Sequence, residues 1–113
     1  MIEKAILDFL DWRLRTPVWM EIPEGMNLPD EYVLLEKTGG RSGDHIKHST
    51  FAVQSYAKSM ENAAKLNEDV KAAMDALVEL NLVGRSALNA DYNFTDRTKK
   101  IYRYQAVYEV THY

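Results

Sequence analysis

The chain contains no cysteine. Disulfides, thiolate nucleophiles and thiolate metal sites are therefore excluded, and synthesis in a reducing cytoplasm is compatible with that lack. Glycine and proline are scarce, five and three residues, so neither a collagen-like repeat nor a low-complexity linker is present. No apolar run approaches the ~18 residues of a membrane span. The opening stretch "MIEKAILDFLDWRLRTP" breaks its apolar positions with acids and bases, against the uncharged centre of a signal peptide. Cationic excess is also missing. A net charge of -3 argues against a protein that coats nucleic acid, which needs clustered cations to neutralise phosphates.

What is present fits a folded protein of 113 residues, 46% hydrophobic and 27% charged. That length supports one hydrophobic core, hence a single domain over residues 1–113. Charge is uneven along it. Acids dominate from Met1 to Glu31, and bases prevail from Val83 onward through Arg85, Arg97, Lys99, Lys100 and Arg103. Head-to-tail or side-to-side self-association can exploit such polarity.

Apolar groups at Ile2, Ile6, Phe9, Leu10 and Leu14 form a helical stripe. Pro17 pushes Thr16 out of the helical region and stops the helix there. "VWMEI" alternates as a short edge strand closed by Pro23 and Gly25. "EYVLLEK" reads as a second strand ending at Gly39-Gly40, and "STFAVQSYA" as a third, beginning after a loop from Thr38 to His48. A second helix follows, with Ala63, Leu66, Val70, Ala73, Met74, Leu77 and Leu80 on one face, Ser59 as N-cap, and Asn81 and Gly84 bracketing its end. Two strands, "VGRSALNADYNF" and "KKIYRYQAVYEVTHY", flank the turn "TDRT". The last places Tyr102, Tyr104, Ala106, Tyr108 and Val110 on one face and Ile101, Arg103, Gln105, Val107 and Glu109 on the other. The order α-β-β-β-α-β-β predicts an α+β fold whose antiparallel or mixed sheet carries both helices on one face. The other face keeps apolar groups on several strands. It is expected to be a partner surface unless loops or the first helix cover it.

No constellation of residues carries catalytic chemistry. "TGGRSGD" lacks the phosphate-loop pattern and leads into a strand, where a phosphate cradle needs a helix N-terminus. His45 and His48, with Asp44, have no fourth metal ligand nearby in sequence except His112. Neither Asp44 with His45 nor Glu36 with a remote base stands out from solvated charges. Tyr102, Tyr104 and Tyr108 beside Lys99, Lys100 and Arg103 suggest base stacking, but an alternating tyrosine row is more often a core or interface face. The helix bearing Trp12 has an acidic polar face, unsuited to an anionic membrane. No enzyme activity, cofactor or metal is therefore expected.

The stretch from Tyr32 to Met74 resembles the tail-terminator, or tail-completion, proteins of long-tailed bacteriophages. The matching positions are Val33, Leu35, Glu36, Gly39 and Gly40, then Phe51, Val53, Gln54, Tyr56 and Ala57, then Ala63, Ala64, Leu66, Val70 and Ala73. The closing "RYQAVYEVTHY" is similar to the family's final strand, from which His112 and Tyr113 depart slightly. This resemblance implies a structural virion protein: a hexameric ring on the head-proximal end of the tail tube. The ring would halt tube polymerisation, face the head connector or stopper protein, and pass DNA through its channel as cargo. It implies a homo-oligomer partnered by the tail tube protein, assembled in the host cytoplasm, with no membrane role. On that reading Arg41, Asp44, His45 and Lys47 lie on a flexible arm that contacts the tube or a neighbour, while Ile101, Arg103 and Val107 belong to the subunit interface or a covered face. The alternatives are a head-side connector or stopper of the same joining complex, and a small ferredoxin-like binding module.

Overall fold

A computed structural model describes all residues, 1–113. The elements run α1 (Ile2–Leu14), β1 (Val18–Trp19), β2 (Tyr32–Gly43), β3 (Ile46–Ala57), α2 (Met60–Asp75), a 3-10 turn (Ala76–Glu79), β4 (Val83–Asn93) and β5 (Tyr102–His112). They build one five-stranded sheet in the order β1-β2-β3-β5-β4. Only β1 and β2 are parallel; every other pair is antiparallel. This is the expected α+β fold with a mixed sheet.

Both helices lie on one face and share one core. Ile2, Ile6, Phe9 and Leu10 of α1 and Leu66, Val70, Ala73 and Met74 of α2 meet Val33, Leu35, Phe51, Val53, Ala106, Tyr108 and Val110 of the sheet. Opposed residues of an antiparallel pair share a face. The registers Phe51↔Tyr108 and Val53↔Ala106 thus put the even-numbered residues of β5 under the helices. Ser59 caps α2, its hydroxyl accepting from the Asn62 amide at 3.1 Å. The Tyr108 hydroxyl donates to Asp75 Oδ1 at 2.8 Å, with the Lys71 carbonyl 3.1 Å away. This anchors the last turn of α2 to the centre of the sheet. Burial, followed by the hydrogen bond to Asp75, pushes the Tyr108 phenol far above its ordinary range.

Three expectations are corrected. The segment Thr38–His48 is no loop: β2 and β3 stay paired to Gly43↔Ile46, because a strand ladder bonds backbone to backbone and tolerates Gly39-Gly40 once the extra residue Thr38 is absorbed as a bulge. Gly84 does not end the second helix but sits inside β4; α2 stops at Asp75 and tightens into the 3-10 turn. The strand expected over Val18–Ile22 shrinks to Val18–Trp19, which pairs only with Val33 and Leu34. The first helix, by contrast, stops before Thr16 as Pro17 requires, with Arg15 as its C-cap in the left-handed region at φ 57°.

The open face is also less apolar than expected. At its centre the Gln54 amide donates to Gln105 Oε1 at 2.8 Å, and the Tyr56 hydroxyl to Gln54 Oε1 at 2.8 Å. The Gln105 amide also bonds the Tyr92 hydroxyl. Thr50 bonds the Glu109 carboxylate. At the end far from the β2–β3 turn an aromatic row crosses the sheet. Trp19 lies 5.7 Å from Tyr32 and Tyr32 stacks on Tyr56 at 4.6 Å. Arg103 sits 5.9 Å from the Tyr56 ring and 4.4 Å from that of Phe94, and Tyr92 meets Phe94 edge-on.

Candidate interaction surface

The β2–β3 hairpin is the feature that stands apart from the core. Every residue from Glu36 to Lys47 is exposed, and the molecule is 45 Å along its longest axis. Its turn is the two-residue Asp44-His45, with φ of 41° and 71°. Positive φ at both central residues suits the right-handed twist of a tight hairpin, and Asp and His are among the residues that tolerate it. The four residues expected on a flexible arm are therefore redistributed. Arg41 is in β2, Lys47 in β3, and only Asp44 and His45 form the turn. They belong to a paired, directional projection.

At the base of that projection lies a polar cavity of about 520 Å³ lined by ten residues, none apolar. Lys37, Arg41, Lys47, His48 and His112 contribute to it, with hydroxyls from Thr38, Ser42 and Ser49, and no carboxylate is among the ten. Gly40 makes room for one of the cations: a Cβ there would stand 3.2 Å from Lys37 Cε. The floor is a buried pair, Ser49 Oγ and His112 Nε2 at 2.8 Å, 2% and 4% exposed. Burial, then the Lys37 and Lys47 charges, hold the His112 imidazole below its ordinary pKa against opposing contributions from the Tyr113 backbone and Glu3. Lys37, Lys47 and His112 also line an adjoining cavity that reaches Met1, Ile2 and Glu3. The positive end of the α1 dipole points into that space.

The chain's five ion pairs engage Lys4, Arg13, Lys65 and Lys71. Lys37, Arg41 and Lys47 are in none of them. Elsewhere the pairing is structural. Lys71 bonds Asp91 at 2.6 Å and Asn67 donates to the same carboxylate at 2.7 Å, tying α2 to the edge strand β4. The hydrogen bond to Asp91, then that to Glu68, raises the Lys71 ammonium. Burial pushes the Asp91 carboxyl up, but the Lys71 and Asn67 hydrogen bonds outweigh it and leave it below its ordinary range.

Of the other residues singled out in the sequence, Ile101, Arg103 and Val107 are half-buried on the open face. Arg103 is committed within the chain, donating from Nε to the Phe94 carbonyl at 2.7 Å. Tyr108 is fully buried under the helices, which removes it from any base-stacking surface. His45 is at the turn, whereas His48 bonds Thr111 Oγ1 through Nδ1 at 3.2 Å; no three His, Asp or Glu side chains converge to hold a metal ion. No helix is long and apolar enough to cross a membrane. Sequence reading missed Lys37 and Ser49, and weighed His112 only as a metal ligand. The alternation of β3 and β5 placed Ser49 and His112 on the helix side, but their meeting across the sheet depends on register. No protein-family model matches the chain and no curated protein matches it.

Proposed function

We propose that this chain is a structural virion protein that closes into a ring on the head-proximal end of a long-tailed phage tail tube, ends tube growth and offers the surface on which the head connector docks. One observation carries the reading. Twelve consecutive residues, Glu36 to Lys47, are exposed on a paired hairpin whose β2 arm has no strand along its outer side beyond Leu34 and whose turn reaches past the end of β5. A rigid, charged projection of this kind suits contact with a preformed cylinder or a neighbouring copy, since little ordering cost remains at binding. The uneven charge along the chain supports heterologous contacts, which close into one finite ring when the rotation between neighbours returns on itself. The role is geometric, with DNA as cargo.

The test is electron microscopy of tail tube protein polymerised with and without the purified chain. Tubes of limited length bearing a ring at one end are expected. Arg41→Glu with Lys47→Glu should keep the circular dichroism of the wild type and leave tubes uncapped. Unchanged tube lengths with no added density at either end would sink the proposal.

A further inference from the structure

A second segment of the chain is as unpartnered as the cationic cavity, and opposite to it in charge. Between β1 and β2 the chain runs from Met20 to Glu31 without regular structure, and from Met20 to Asp30 all but Pro29 are exposed. It carries Glu21, Glu24, Asp30 and Glu31 and no base, and none of these acids is in an ion pair. Between them stand Met20, Ile22, Met26 and Leu28, each 40–47% exposed. Polar loops rarely carry four such side chains without something to receive them.

The cavity has the matching character. Its cations are unpaired and its lining lacks carboxylates. Glu3 is the one carboxylate of the adjoining cavity, whose rim also offers the exposed apolar groups Met1 and Tyr113, 77% and 63% accessible. Acid alternating with apolar on the segment thus faces cation beside apolar at the cavity.

Within one chain the two do not meet. No residue from Met20 to Glu31 lines the cavity. Leu28, Pro29 and Asp30 pack beside Tyr56, Lys58 and Tyr102, at the end of the sheet remote from the hairpin turn. Arg41 is nine residues along β2 from Tyr32, ~30 Å at the rise of an extended strand. Complementary surfaces kept apart by the scaffold can be satisfied between copies.

We infer that the acidic segment Met20–Glu31 of one copy docks into the cationic cavity at the base of the β2–β3 hairpin of a second copy. The contact needs only another copy of this chain. If the ring reading holds, it supplies one heterologous contact of that ring. The apolar side chains supply burial, and the acids set register and exclude a reversed approach.

Sedimentation equilibrium of the full chain tests this. From ~10 µM to ~1 mM the wild type should rise above monomer mass at low salt, and association should weaken at least tenfold between ~50 and ~300 mM salt as exposed charges are screened. Glu21→Lys with Glu24→Lys, and separately Lys37→Glu with Lys47→Glu, should each weaken association at least tenfold while keeping wild-type circular dichroism. An equimolar mixture of the two variants should recover it to within ~threefold, because each then meets an opposite charge. Wild type that stays at monomer mass throughout overturns the inference, as does a mixture that fails to recover. So does a cavity whose resonances shift with inorganic phosphate while the mass stays monomeric. A dimer that never grows, yet follows the charge exchange, upholds this contact and counts against the ring; capped tubes from a chain whose association ignores both charge reversals would do the reverse.

Discussion

Tyr108, with Asp91, is one of the side chains through which the sheet holds α2, and its removal has a calculable cost. It is fully buried, and its hydroxyl lies within hydrogen-bonding distance of Asp75 Oδ1 and the Lys71 carbonyl. Tyr108→Phe keeps the ring and deletes only the hydroxyl. A net hydrogen bond is worth ~1 kcal/mol, and one to a charged group ~1.5–3. Asp75 is exposed, so water compensates its carboxylate and the upper figure does not apply; the expected loss is ~1–2 kcal/mol. For a domain of this size that is a fall of ~4–8 °C in Tm. Urea unfolding at neutral pH should show a lower midpoint with an unchanged slope, since the surface exposed on unfolding is the same. Asp75→Asn in a double-mutant cycle with Tyr108→Phe should give a coupling of ~1 kcal/mol. Tyr108→Ala adds a cavity and should cost ~3–5 kcal/mol. A Tyr108→Phe protein within ~0.3 kcal/mol of wild type, or a cycle with no coupling, would refute this account of how the helix is fastened.

Two further outcomes follow from strain and burial. Arg15 caps α1 in the left-handed region, which costs a side-chain-bearing residue ~1 kcal/mol that glycine avoids; Arg15→Gly should raise the urea midpoint, and a fall would show that the arginine side chain contributes more than its backbone costs. The folded pKa of His112 lies below its unfolded value, so the unfolded chain binds more protons below ~6.5. Stability from this group is full above that pH and is lost as pH falls through the folded value. His112→Phe should flatten the wild-type decline between about pH 7 and 5, and identical slopes in the two proteins would remove His112 as its source.

The parts of the fold governed by local periodicity were legible. The stripes of α1 and α2, the Ser59 cap and the two faces of β5 all follow from spacings within one segment. What escaped was set by partners distant in sequence. Three glycines between Gly39 and Gly43 look like a loop, yet β3 offers a backbone ladder that does not depend on side chains. The alternation in "VWMEI" promises a strand, but pairing extends only to Trp19 opposite Leu34. Tyr32 and Tyr56 carry no signal of stacking until the β2–β3 register sets them face to face. Of the interaction surface, Arg41 and Lys47 were readable as exposed charge. The cavity was not, because Lys37, Ser49 and His112 are assembled from three strands.

The aromatic row across the open face joins Trp19, Tyr32, Tyr56, Arg103, Phe94 and Tyr92, and so braces the five strands at one end. At the opposite end β5 flanks the hairpin as far as Lys47, opposite His112, and the Ser49–His112 and His48–Thr111 bonds tie the two strands together. Only Ile46 and the Asp44-His45 turn outrun β5, whereas β2 beyond Leu34 has no strand along its outer side. The free rim of the sheet is therefore that outer side of β2, a row of unpaired N–H and C=O groups that an extended segment from outside the chain can lengthen by one more strand.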